Sequence, residues 1–141
     1  MIRSILAILA GIIALTAVSF GIEAIADPLL MRGFPAALPS RAAISHNLSA
    51  SLFTLAYGTL SVALGGYVTA WIARRSPSRH ALIMGILQAG LTILAMTSMR
   101  DQAPIWIWMA SIAMSVPAAW LGGWWYAKRA EKHASRAIAI P

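Results

Sequence analysis

One carboxylate lies inside an apolar run: Glu23, in ILAILAGIIALTAVSFGIEAI. An ionisable side chain at membrane depth marks a proton or cation path, because a carboxylate there takes up and releases a positive charge. Gln88, the one amide in a third apolar run, can hydrogen-bond across helices. Pro117, near the middle of the last run, removes a backbone hydrogen bond and is expected to kink its helix, with Ser111 or Ser115 satisfying the freed carbonyls. Broken helices line binding sites in carriers. Glu23, Gln88 and Pro117 are therefore the candidate polar pathway. The competing reading puts Glu23 close to the end of its span, where it reaches headgroups or pairs with Arg32 or Arg41.

Other chemistries find little support. His46, His80 and His133 are scattered, and neither H-x-x-x-H nor E-x-x-H spacing occurs, so no metal site is expected. No acid–acid spacing of the kind used in glycoside hydrolysis is read from the chain. The chain has no cysteine, which removes disulfides, thiol catalysis and cysteine-based metal centres. None of its serines sits in G-x-S-x-G. The expectation is a protein that is not an enzyme and holds no cofactor.

The elements that position these residues follow from composition. Hydrophobic residues make up 60% of the 141, and charged residues 11%, where a soluble domain carries about a quarter. The apolar residues form long blocks, and helices that are apolar all round are buried or lie in lipid. A chain this short cannot bury four such helices within itself. Residues 5–25, 52–73, 81–99 and 105–127 are each long enough to cross about 30 Å of hydrocarbon. The fold class is all-α, a four-helix transmembrane bundle forming a single integral membrane domain. Residues 26–50 form its one long connection, and residues 128–141 a basic tail.

Charge sets the orientation. Arg3, Arg74, Arg75, Arg79, Lys128, Arg129, Lys132 and Arg136 fall on one side of the alternating spans, against Glu131 alone. Arg32, Arg41 and Arg100 fall on the other, balanced by Glu23, Asp27 and Asp101. The whole formal charge of +7 thus belongs to the first side. The positive-inside rule makes that side cytoplasmic, with both termini there. Anionic lipid on the cytoplasmic face accounts for the basic excess, including the Lys128, Lys132 and Arg136 stripe, so no nucleic acid is expected as a partner. Arg3, an apolar run and Ala24-Ile25-Ala26 have the outline of a cleavable secretory signal. The run is longer than a signal core and Glu23 abuts the site, which favours a retained span.

Between spans, Pro28, Pro35 and Pro39 punctuate the long connection, and each disfavours helix in the residue before it. Leu29, Leu30, Met31 and Phe34 are too apolar for a solvated loop and are expected at the interface. Ser40 is a good N-cap for a second helix starting near Arg41. Pro77 is expected to stop the second helix and Ser78 to cap the third. Asp101 is expected to cap the fourth, with Pro104 suited to its first turn. The short turns make these spans antiparallel neighbours.

Small residues form ridges. Ser61, Gly65, Thr69 and Ala73 recur every four residues beside Gly58, Gly66 and Ala70, and Ser111, Ser115, Ala119, Gly123 and Ala127 do the same with Gly122 adjoining. Membrane helices associate by close approach at such residues. The expected packing residues are Ser61, Gly65, Gly66, Thr69, Ser115, Ala119, Gly122 and Gly123. Leu64-Gly65-Gly66-Tyr67 and Leu121-Gly122-Gly123-Trp124 echo each other, and each precedes a basic cluster, which two in–out–in hairpin repeats would produce. Trp106 and Trp108 at one interface, and Trp71, Trp124, Trp125 and Tyr126 at the other, read as aromatic belts.

The stretch G-G-Y-V-T-A-W-I-A-R-R-S-P-S-R-H-A-L-I-M-G, with P-A-A-W-L-G-G later, resembles a family of uncharacterised small bacterial four-span inner-membrane proteins. The likeness covers roughly residues 51–124. It implies a four-helix fold in the bacterial inner membrane, and no activity or catalytic residue. Small multidrug carriers also have four spans and a first-span glutamate, but their other motifs are missing here. The leading expectation is a packing or accessory subunit that meets a membrane-protein partner, or copies of itself, through its small-residue ridges. The alternative is a small-solute or ion/proton carrier using Glu23.

Overall fold

In lipid the backbone must satisfy its own hydrogen bonds, and a helix does so within one segment. In the computed structural model, residues 2–32, 40–73 and 76–138 are described, residues 2, 41, 42 and 133–138 by their backbone alone. Five α-helices and one 3-10 turn are present among them, and no strand. They are α1 (Ile2–Arg32), α2 (Arg41–His46), α3 (Leu48–Ala73), α4 (Pro77–Ser98), the turn Arg100–Gln102, and α5 (Ile105–Ile138). The helices α1, α3, α4 and α5 are each long and apolar enough to cross a membrane, and this is a multi-pass membrane protein. Phe34, Pro35, Pro39, Arg74 and Arg75 lie outside the described residues, as do the side chains of Arg41, His133 and Arg136.

The helices pack as a rhombus. α3 and α4 touch across the short diagonal, each also contacting α1 and α5 at the outer corners. Nε of Arg3 donates to the Ile72 carbonyl at 3.2 Å, which ties the start of α1 to the end of α3. Arg79, Lys128, Arg129 and Lys132 belong to this same basic end. At the far end the Ser45 hydroxyl donates to the Gln102 carbonyl, joining α2 to the 3-10 turn.

Several element boundaries differ from those read in the sequence. α1 does not end near residue 25 but runs through Pro28 to Arg32. A proline removes only one helical hydrogen bond, here to the Ala24 carbonyl, and the rest of the ladder continues. The second span is split. Ser40 caps α2, its Oγ accepting from Ala43 N at 3.2 Å, and Asn47 interrupts the helix in extended conformation. The Asn47 side chain then caps α3 by accepting from Ala50 N at 3.1 Å. Ser76, not Ser78, precedes α4, with a left-handed φ of 48°. Pro77 opens α4 instead of closing α3, since the missing N–H costs nothing in a first turn. Asp101 lies in the 3-10 turn, and Pro104 sits just ahead of α5. α5 continues unbroken past Pro117.

The half of the bundle near the basic end is closed by glycines. A Cβ on Gly66 would collide with the Ala119 carbonyl, and one on Gly122 with the Ala63 carbonyl. The α3–α5 crossing therefore relates Ala63-x-x-Gly66 to Ala119-x-x-Gly122, one residue out of register with the Leu-Gly-Gly echo. On the α1 side, a Cβ on Gly65 would lie 2.8 Å from the Gly11 carbonyl oxygen. Beneath these contacts Leu15, Val62, Met84, Ala118 and Ala119 form the buried core. Gly58 lies two turns before Gly65 on the same face of α3, yet a Cβ there would meet nothing within 4 Å. The helices diverge between those two glycines, toward the far end.

A polar vestibule at Glu23

The divergence leaves two adjoining cavities. The inner one, about 200 Å³, lies among α1, α3, α4 and α5. The outer one, about 300 Å³, is bounded by α1, α2, α3, α5 and Ala103 of the α4–α5 connection. Glu23, Thr54, Tyr57 and Ser111 line both, so the carboxylate stands where they join. Leu15 and Val62, part of the packed core, line the inner cavity and form its floor.

Each polar side chain arrives by a specific helix. Glu23 of α1 accepts from the Tyr57 hydroxyl of α3 at 3.3 Å. Tyr57 is held in turn by Phe53, one turn earlier, in an edge contact at 5.4 Å. Asp27 follows Glu23 by one turn on α1 and lines the outer cavity. Trp108 of α5 lines it as well, its indole N–H buried without a hydrogen-bond acceptor among the described residues. Among the described residues no lysine or arginine lines either cavity. Carboxylates beside aromatic side chains form a setting for a positively charged guest.

The candidate pathway residues part company. Gln88 lines the inner cavity with Glu23. Its backbone carbonyl accepts from the Thr92 hydroxyl at 2.9 Å. Pro117 lines neither cavity and is exposed on the bundle surface. Ser115 lines the inner cavity, and two residues further along a helix is a rotation of about 200°, which turns Pro117 away. The serine hydroxyl bonds to Ser111 O at 2.7 Å, leaving the Ala113 carbonyl that Pro117 frees to other means.

Three contributors escaped the sequence reading. Asp27 falls in the loop if the first span ends at residue 25, and the i, i+4 acid pair on one helix face emerges only with α1 running to Arg32. Trp108, expected in an aromatic belt, lines the vestibule. Tyr57 carried no local signal, since its partner is on another helix. The extent of α1 was the missing clue for Asp27. Glu23 itself lies nine residues, about 14 Å, before the end of α1, well inside the helix.

Ser61, Gly65, Gly66, Thr69, Ser115, Ala119, Gly122 and Gly123 are all buried within the chain. The Ser61 and Thr69 hydroxyls bond to carbonyls one turn back on their own helix, at 2.8 and 2.9 Å, so neither is left unsatisfied at the seam. These ridges are occupied by helices of the same chain, and a partner or second copy would have to meet a different, lipid-facing surface. Compared with protein-family models, with curated proteins and with solved structures, the chain matches none.

Proposed function

We propose that the protein binds a small cation in the vestibule at Glu23 and Asp27 and carries it, or a proton in its place, across the membrane. One observation supports this above the others: Glu23, Asp27, Tyr57 and Trp108 line connected cavities inside a bundle of membrane-length helices. Ionisable side chains inside spanning segments mark ion and proton paths. Cavities of about 200 and 300 Å³ are at or below the lower end for drug-sized ligands, so the guest is an inorganic cation or a small amine. Gln88 and Ser111 supply neutral oxygens along the inner wall.

Carriage needs a second state. Here the path is closed toward the basic end by Met84, Ala118 and Ala119 beneath the floor. The bundle would reopen there by rocking about its glycine contacts while the far end shuts, as in alternating access. The positive-inside rule makes the basic end cytoplasmic, so the vestibule faces outward, and the family resemblance suggests a bacterial inner membrane. Anionic lipid on the cytoplasmic leaflet is the expected surface partner of the basic end.

The test is uptake of methylammonium and of protons into vesicles carrying the purified protein. Wild type is expected to exceed empty vesicles, Glu23→Gln to abolish the flux and Asp27→Asn to reduce it. Wild-type vesicles no more permeable than empty ones would overturn the carrier reading. Undiminished flux in Glu23→Gln would remove the carboxylate from it.

A further inference from the structure

The basic end carries a second concave feature, outside the vestibule and on the lipid-facing side of α3 and α5. A groove of about 500 Å³ is lined by Leu60, Leu64, Tyr67, Leu121, Trp124 and Trp125, with Ala63 and Gly122 at its base. It exists because Gly122 has no side chain where it meets the Ala63 backbone, while bulky residues flank the seam. Tyr67 braces one wall, in edge contact with Trp125 at 6.4 Å and Tyr126 at 5.5 Å. Leu60, the deepest of these residues, lies 13 positions before the end of α3, about 20 Å along the helix. That depth matches one leaflet of a bilayer.

The mouth of the groove is positive. Trp125 also lines a shallower concavity with Lys128, Arg129, Glu131 and Lys132, so the apolar groove and the charged cluster are continuous. Nζ of Lys128 lies 4.3 Å from the Trp124 ring centre, and the Arg129 guanidinium 4.5 Å from that of Trp125. Each cation sits one helical turn beyond its indole. Long helical side chains lean toward the N-terminus, so both lie back over the groove instead of extending into solvent. Three cations against Glu131 leave the mouth net positive.

We infer that the α3–α5 groove holds one anionic phospholipid, an acyl chain along Leu60, Leu64 and Leu121 and the phosphate on Lys128 and Arg129. The charge at the mouth selects this occupant over a zwitterionic lipid or an apolar helix. The inference rests on the helices spanning a bilayer and is independent of cation carriage at Glu23.

Native mass spectrometry of the detergent-purified protein, titrated with phosphatidylglycerol or phosphatidylcholine, tests it. Wild type is expected to retain one phosphatidylglycerol in preference to phosphatidylcholine by roughly tenfold or more. The double variant Lys128→Gln/Arg129→Gln is expected to lose that preference. Leu64→Trp, at a side chain 49% exposed and so tolerable to the fold, is expected to block retention of either lipid. Equal retention of the two lipids by wild type would overturn the proposal. Undiminished retention in Leu64→Trp would also overturn it, by placing the lipid on the charged surface alone. A dimer that Leu64→Trp dissolves would overturn it in favour of a second copy as occupant. Helical content and monodispersity of each variant separate these outcomes from misfolding.

Discussion

The Tyr57 hydroxyl donates to Oε1 of Glu23 at 3.3 Å, linking α3 to α1 at the point where the two cavities meet. Tyr57→Phe removes this bond and keeps the ring and its contact with Phe53. It is expected to cost about 1 kcal/mol of stability, seen as a fall of a few degrees in unfolding temperature. Methylammonium binding is expected to weaken severalfold, because the carboxylate loses the group that orients it. Unchanged binding, measured by calorimetry in detergent, would show that the tyrosine does not position Glu23.

Gly58 and Gly122 give opposite outcomes for the same kind of change. A side chain at Gly58 enters open space beside the vestibule, so Gly58→Leu is expected to fold normally and to exclude the cation. Gly122→Ala forces its methyl into the Ala63 carbonyl and is expected to destabilise the bundle by about 2–3 kcal/mol. Thermal unfolding of the two variants, paired with binding, distinguishes filling a cavity from breaking a seam.

Pro117→Ala restores the hydrogen bond to the Ala113 carbonyl on the exposed side of α5. Stability is expected to rise by about 1 kcal/mol, and cation uptake to stay at the wild-type rate. A loss of uptake would place the proline in the transport cycle despite its distance from the lining.

Ser76 holds φ at 48°, a conformation that costs a side-chain-bearing residue about 1 kcal/mol and glycine almost nothing. Ser76→Gly is therefore expected to raise the unfolding temperature by a few degrees. No change would mean that the gain is cancelled in the unfolded chain.

Because the chain has no cysteine, single introduced thiols report topology cleanly. Gln102→Cys is expected to react with an impermeant maleimide on intact cells, and Lys132→Cys only after permeabilisation. The reverse pattern would invert the orientation that charge predicts.

The number of spans and the segregation of charge to one end were legible because both are local. An apolar run of sufficient length declares itself, and basic residues cluster beside its ends whatever the helices do in three dimensions. Ser40, followed by an apolar helix, announced its cap for the same reason. Boundaries were less legible where one residue type serves two roles. Pro28, which has the local character of a breaker, is carried inside α1, and Pro77, which has that of a stop, is a first-turn residue. What only the tertiary structure decided is which faces meet. Helices apolar on every side carry no amphipathic stripe to announce their inner face, so rotation about each axis is set by where small residues let backbones touch. That rotation turns Glu23, Tyr57 and Gln88 into one cavity and Pro117 out to lipid. It also uses the glycine ridges within the chain, and so leaves a groove beside Gly122 on the outside of the bundle.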